Sequence, residues 1–420
     1  MFKEKNIAFV GMSHLGLNYL AASVLKKNFV TGFDTNKKLI NDLEARQLNH
    51  TEPQLANILK NKKKLINFSS NFKKLNKFNL IFISQDVQTD KNNKANIKKI
   101  SVLVNKVLKY ISKNSTLVIL SQLQPGFMRK IKFNKKKLYY QVETLIFGQA
   151  IKRAFNPERL IIGCSHQSNS ISKEYLRYIK NFNCPIIKMN YESAELTKIA
   201  INIFLASSVT TTNVLAEMCS KFNANWHEIS PALNLDKRIG KFAYLKPGLG
   251  ISGGNIERDI SVIKNLTKKN LIPNKFINSI LENSNHMKSW VSRIIKEKKL
   301  LKSKTKFKIG ILGLSYKENT SSIKNSPTIF LLKKFKNHTI KIYDPKAKLT
   351  KKYSNCIQKK DIDSVIYGCE ILIIMTAWKN FKNLEEKINK IKKKIIIIDP
   401  HKMLDQSLIK NKYLKYFKLG

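Results

Sequence analysis

Two stretches near opposite ends of this sequence follow one order: a short apolar run, a glycine-containing turn, helical spacing, a second apolar run and an aspartate. The first runs through Ile7-Ala8-Phe9-Val10, Gly11-Met12-Ser13-His14-Leu15-Gly16, a helical stretch over 17–26, Phe29-Val30-Thr31-Gly32-Phe33 and Asp34. The second runs through Phe307-Lys308-Ile309-Gly310-Ile311-Leu312-Gly313-Leu314, a helical stretch from about Pro327, Thr339-Ile340-Lys341-Ile342-Tyr343 and Asp344. Further apolar runs of four or five residues fall at 80–83, 116–120, 371–374 and 395–398. Lysine-rich helical stretches separate them. Strands that alternate with helices predict a parallel sheet covered on both faces. The middle has a different texture. Residues 193–222 contain no Gly or Pro and carry apolar residues at helical spacing, which predicts one long helix. More helical pattern covers about 259–299, and the charged stretch 296–308 reads as a linker. The expected fold is α/β, with two Rossmann-like domains, each built on a parallel sheet, joined by a long central helix. The expected boundaries are 1–192, 193–300 and 301–420.

The turn Gly11-x-Ser13-x-x-Gly16 is a dinucleotide-binding G-x-G-x-x-G with its second glycine replaced. That chemistry needs a tight turn, close approach of backbone to a pyrophosphate, and close packing of helix on strand. The helix start that follows supplies backbone N–H groups and a positive dipole end, and His14 and Leu15 of the turn are expected at the cofactor. Ser13 is small enough to hinder the approach without preventing it. Asp34 ends the second strand, where an acid binds the adenosine ribose hydroxyls. Its carboxylate would repel a 2′-phosphate, so NAD is expected over NADP.

Charge enters next. The chain has 78 Lys+Arg against 28 Asp+Glu, a formal net charge of +50 over 420 residues. Lysines neutralise phosphates, so nucleic-acid binding is one reading. Only eight of the basic residues are Arg, the usual bidentate reader of bases and phosphates. The lysines are spread along the whole chain, with no basic stripe interleaved with aromatics. No nucleic-acid partner is expected. The five cysteines are an odd count without a C-x-x-C pair, so reduced thiols are expected, and the dispersed histidines suggest no metal. No unbroken apolar run approaches the roughly 18 residues of a membrane span. The four apolar residues at 7–10 are too few for a signal-peptide core. A cytoplasmic protein without membrane association is expected.

A series of short motifs in fixed order resembles the UDP-glucose/GDP-mannose dehydrogenase family. They are Val30-Thr31-Gly32-Phe33-Asp34, Thr51-Glu52-Pro53-Gln54-Leu55, Ala194-Glu195-Leu196-Thr197-Lys198 with Asn202, and Arg238-Ile239-Gly240. Pro247-Gly248-Leu249-Gly250 with Arg258-Asp259, Gly313-Leu314-Ser315-Tyr316-Lys317, Ser326-Pro327, Tyr343-Asp344-Pro345 and Thr376-Ala377-Trp378 continue it. The resemblance covers nearly the whole chain. It implies NAD-dependent oxidation of the C6 hydroxyl of a nucleotide-linked sugar, a UDP-sugar as substrate, a role in making polysaccharide precursors, and a homodimer formed through the long helix. It also implies an active site in the cleft between the outer domains.

Lys198 and Asn202 are four residues apart, so they share a helix face, and an ammonium and an amide aimed at one point suit an alcohol oxygen losing its hydride. The resemblance gives them that role. It makes Asp259 an acid that works with a water, and Glu143 the acid of the family's Asn-Pro-Glu motif, preceded here by Gln141-Val142. It gives Ser121, Gln122 and Arg258 to the cofactor, and Gly250, Gly253, Lys317 and Lys324 to the substrate. Arg238 is expected to reach the substrate of a neighbouring subunit.

The sequence also departs from the family. Gly253-Gly254-Asn255-Ile256-Glu257-Arg258-Asp259 puts Asn255 where the family has a nucleophilic cysteine. That thiol adds to the intermediate aldehyde so that a second hydride can leave and water can release the acid. An amide forms no such adduct. Phe147 replaces the second glutamate of the family's Asn-Pro-Glu-x-x-x-Glu-Gly, Gln122 a threonine, Val87-Gln88 a Thr-Pro pair, Lys324 an arginine and His401 another. Three functions follow: a dehydrogenase that stops after one hydride or oxidises an aldehyde hydrate without covalent catalysis, a nucleotide-sugar-binding protein without turnover, and a basic nucleic-acid binder.

Overall fold

The computed structural model describes residues 6–48, 52–90, 95–301, 306–381, 383–391, 393–410 and 412–420. It forms two compact units, Met1–Ile201 and Asn202–Gly420. The chain passes from one to the other within a single helix, Tyr191–Cys219. Thr51 of the predicted Thr-Glu-Pro motif and 302–305 of the predicted linker lie outside the described residues.

The first unit holds an eight-stranded sheet. Its strands are β1 (Asn6–Val10), β2 (Phe29–Phe33), β3 (Ile66–Ser69), β4 (Leu80–Ile83), β5 (Thr116–Ile119), β6 (Leu138–Gln141), β7 (Leu160–Cys164) and β8 (Ile186–Asn190). Their spatial order is β3-β2-β1-β4-β5-β6-β7-β8. The apolar runs show why both faces must be covered. Along β1, Ile7 and Phe9 enter one buried cluster, while Ala8 and Val10 enter the cluster on the opposite face. Leu80 and Phe82 on β4 divide from Ile81 and Ile83 in the same way. Each such side chain fully removed from water contributes roughly 1.5–3 kcal/mol, so a strand with one polar face would forfeit half its drive to pair. All pairings are parallel except β6–β7. Between those two strands the helix Ala150–Phe155 packs on the helix that follows β1. β7 then runs back beside β6 in the opposite direction.

The helix after β1, His14–Leu25, is buried on nearly every side. Two glycines make its entry possible. Gly11 has φ +98°, and a Cβ on Gly16 would lie 1.9 Å from the Gly11 carbonyl oxygen. A side chain at either position is excluded, one by conformation and the other by contact.

The second unit holds a six-stranded, all-parallel sheet: β9 (Lys308–Leu312), β10 (Thr339–Tyr343), β11 (Cys356–Gln358), β12 (Ile371–Ile374), β13 (Ile395–Asp399) and β14 (Leu414–Lys418). The order is β11-β10-β9-β12-β13-β14. The β2-β1-β4 and β10-β9-β12 arrangements repeat one another, as the duplicated sequence pattern requires. The helical middle resolves into Trp226–Leu235, Asn255–Lys269, Lys275–Lys288 and Trp290–Glu297. Met287, Trp290, Val291 and Ile295 pack with Ile309, Ile311 and Leu331, which joins the last two of these helices to the second sheet.

Among the described residues, Tyr191–Cys219 is the one helix long and apolar enough to cross a membrane by length and composition. Counting unbroken apolar runs overlooks it, because Ala, Ser and Thr interrupt its larger apolar residues. Lys198, Asn202, Thr212 and Asn213 are all buried along it.

Candidate active site

In the first unit the glycine turn ends β1 and is closed by Asp34. The N–H of Gly11 donates to the Phe33 carbonyl at 2.7 Å, and the N–H of Met12 to Asp34 Oδ2 at 2.8 Å. The Asn36 N–H donates to the other carboxylate oxygen at 2.9 Å. These bonds fix Asp34 at the end of β2 and leave lone pairs on both oxygens. Gly11 also keeps the turn open: a Cβ there would meet Gln85 at 2.8 Å. Turn, helix start and acid together fit a dinucleotide with unphosphorylated adenosine ribose. Of the residues expected to line this region, Ser121 donates to the Gln85 carbonyl at 2.7 Å, and Gln122 is buried after β5.

His14 faces Glu52 and Phe147. Its Nε2 is 2.9 Å from Glu52 Oε2, and its ring stacks on Phe147 with centroids 4.1 Å apart. Glu52 also accepts N–H bonds from Gly148 at 3.0 Å and Ala150 at 2.8 Å. These three partners hold its carboxyl below the usual range even though burial opposes them.

Lys198 lies on the long helix with its side chain 6% exposed, and its Nζ is 3.0 Å from Glu143 Oε1, itself 12% exposed. Glu143 sits just after β6 and also accepts the N–H of Leu145 at 3.0 Å. One turn along the helix, Asn202 belongs to the second unit. Its amide Nδ2 donates to Asp259, which is wholly buried. Arg258 is also buried and donates to the other oxygen of Asp259 at 3.2 Å. The amide has a second N–H to offer a substrate oxygen.

Asn255 is exposed and opens the helix Asn255–Lys269. Gly253 before it has φ +90° and lies against the Tyr316 ring, 2.9 Å from a built Cβ. The Gly253 N–H donates to the Lys324 carbonyl at 3.1 Å, and Asn325 donates to the Gly253 carbonyl at 2.9 Å. Gly250, at φ +78°, lies against the Ser284 backbone. The Lys324 side chain runs past Gly254, and Lys317 lies 5.9 Å over the Tyr316 ring. The second unit thus gathers Asn255, Gly253, Lys324 and Tyr316 around one helix start. Glu257, two residues into that helix, pairs with Lys288 at 2.7 Å, and burial raises its carboxyl. Arg238 pairs with none of the site residues just described. Its side chain is 88% exposed and forms a two-pronged pair with Asp236 at 2.6 and 3.0 Å.

Each unit carries its own share of the expected residues beside its own sheet, and comparison with known proteins shows the family they point to. The NAD binding domain of the UDP-glucose/GDP-mannose dehydrogenase family matches residues 5–180, its central domain 192–286 and its UDP binding domain 310–406. The chain belongs to this family. It is 28% identical to UDP-glucose 6-dehydrogenase of Rickettsia prowazekii, with 99% of each chain covered. It is 26% identical to UDP-glucose 6-dehydrogenase TuaD of Bacillus subtilis, covering 94% of this chain and 88% of that one. Its fold is that of a UDP-glucose dehydrogenase from Pyrobaculum islandicum, with a TM-score of 0.86 at 20% identity over 100% of this chain and 98% of the other. A UDP-D-ManNAc dehydrogenase from Pyrococcus horikoshii gives a TM-score of 0.84 at 19% identity over 99% of each.

This member of the family is an NAD-dependent nucleotide-sugar dehydrogenase. NAD is its cofactor, and when bound it supplies the acceptor for a hydride. Gly11, Ser13, His14, Leu15, Gly16, Asp34, Ser121 and Gln122 all lie in the matched NAD binding domain. Arg258 lies in the central domain, beside Asp259. Sequence reasoning missed Asp86, whose carboxylate lies at the start of the first helix, and it gave Glu52 no role. Glu52 stood inside a quoted motif. The signal for Asp86 was an acid just beyond β4, the strand that flanks the glycine strand in this topology.

Proposed function

We propose that this dehydrogenase oxidises the C6 hydroxyl of a UDP-hexose and releases the product after one hydride transfer, in the making of polysaccharide precursors. The observation that carries the reading is paired. Lys198 and Asn202 are buried one turn apart on one helix, each held by a carboxylate, while Asn255 stands at the thiol position. The retained pair suits the first oxidation. As C6 loses its hydride and the hydroxyl loses its proton, charge builds on the oxygen, where an ammonium and an amide N–H stabilise it. Glu143 fixes the Lys198 ammonium, and Asp259, with a water, takes the proton. Oxidation of the aldehyde to an acid needs the carbonyl turned into a hydride donor, which a thiol does by forming a covalent adduct and which otherwise needs the aldehyde hydrate. Asn255 offers no nucleophile for the adduct. Phe147, in place of the second glutamate, is engaged with His14 instead.

In this reading residues 1–192 bind NAD, 193–300 form the helical and dimerisation part, and 301–420 bind the nucleotide. Gly250, Gly253, Lys317 and Lys324 contact the substrate, Ser121, Gln122 and Arg258 the cofactor, and Arg238 reaches a second subunit. The apolar side of the long helix supports a homodimer: Phe204 is 79% exposed and Phe222, just beyond the helix, 74%. A cytoplasmic enzyme bound to neither membrane nor nucleic acid fits that assignment, the helix burying its apolar side against a second copy.

The test is absorbance at the NADH band with a panel of UDP- and GDP-sugars, followed by counting NADH per product. One NADH per aldehyde is expected. A ratio of two with carboxylate formed removes the one-hydride claim. Sugar binding with no NADH from any sugar removes oxidation itself.

A further inference from the structure

We propose that Asp86 occupies a hydrogen-bonding position needed by the cofactor's pyrophosphate and thereby weakens this enzyme's hold on NAD. The inference rests on NAD binding at the glycine turn. In a dinucleotide-binding βαβ unit the pyrophosphate sits at the start of the first helix, on backbone N–H groups that the helix leaves unpaired. Here one of them is taken. The Leu15 N–H donates to Asp86 Oδ2 at 3.0 Å, across 71 residues of sequence. Asp86 follows β4, and β4 lies beside β1, so the topology itself brings this carboxylate to the glycine turn.

Ser13 ties the contact in place. It precedes the helix yet makes no side-chain cap of its own. Its hydroxyl accepts the Asp86 N–H at 2.8 Å and donates to the Ser84 carbonyl at 3.3 Å. A glycine there, as in the ordinary motif, would supply neither bond. Serine and aspartate therefore act as one device: the hydroxyl holds the loop backbone, and the loop's carboxylate caps the helix in the serine's stead. A pyrophosphate and a carboxylate cannot share one N–H, and two anions this close repel each other. Asp86 is exposed and can turn out into solvent, so it competes with the cofactor without blocking it.

The experiment is titration of NADH, followed by its fluorescence, and of adenosine by calorimetry, into the full-length protein, D86A, D86N, S13G and the S13G/D86A double variant. D86A is expected to tighten NADH binding by about tenfold and S13G by about threefold. The double variant should be no tighter than D86A, and adenosine affinity should not change. D86N keeps an acceptor for the helix while losing the charge, so it serves if D86A folds poorly; it too should bind NADH more tightly. NADH affinity in D86A and D86N equal to or weaker than wild type overturns the proposal. So does adenosine tightening in step with NADH, because the pyrophosphate would then not be involved. Absence of NADH binding in every one of these proteins removes the cofactor reading and the proposal together.

Discussion

Replacing Lys198 by methionine separates the chemistry of the long helix from its packing. Methionine keeps most of the side-chain volume and removes the charge. Two effects follow, with different magnitudes. Loss of a donor aimed at a developing oxyanion costs about 10²–10³ in kcat. Loss of one partner from a buried ion pair leaves the other uncompensated, at about 3–5 kcal/mol. The Lys198–Glu143 pair meets the conditions for the second effect: 3.0 Å apart, with side chains 6% and 12% exposed. In K198M/E143Q no charge is stranded, so most of the stability should return while turnover stays low. The assays are kcat with the sugar that gives NADH, NADH affinity, and urea unfolding. Unfolding must be followed by circular dichroism, because Trp226, Trp290 and Trp378 all lie in the second unit and report nothing about the first. NADH affinity should stay within about twofold, since Lys198 makes no contact with the glycine turn. A folded K198M within about fivefold of wild-type kcat would refute the oxyanion role. Recovery of turnover together with stability in the double variant would show that the lysine merely neutralises Glu143.

Glu195 links stability of the first unit to pH. Burial pushes its carboxyl up to about 7 although it accepts N–H bonds from Gly126 and Met128. The folded state therefore holds this proton more tightly than the unfolded state. The contribution is complete below about pH 4.5, declines as pH rises through about 7, and is level above that. Glu195→Gln should flatten the melting temperature across this window; an unchanged slope would assign it to other groups. Phe204→Glu places a charge on the exposed apolar side of the long helix. Light scattering should show a dimer for the wild type and a monomer for the variant, and a variant that stays dimeric would locate the interface elsewhere.

Local pattern made much of this molecule legible. Non-alternating apolar runs such as 7–10 and 371–374, alternating with helical stretches, fit strands buried on both faces, and both are. The Gly11 turn and its closure by Asp34 were readable because a tight turn and an acid at the end of the next strand are demands on neighbouring residues. The spacing of Lys198 and Asn202 placed both on one face of one helix. Their carboxylate partners were another matter. Glu143 and Asp259 lie 55 and 57 positions away, and which acid meets which donor depends on where β6 ends and how the Asn255 helix packs.

By itself, then, the sequence determined two Rossmann halves, a long helix carrying Lys198 and Asn202 on one face, and an asparagine at position 255. Each is a matter of residue type and short-range period. Only the tertiary structure decided that Asp86 caps the first helix, that Ser13 braces it, and that Phe147 lies on His14. Those contacts join residues 71 to 133 positions apart. Nothing in the local sequence encodes them. Strand order does, because a parallel sheet brings together the loops that follow its neighbouring strands whatever their separation along the chain.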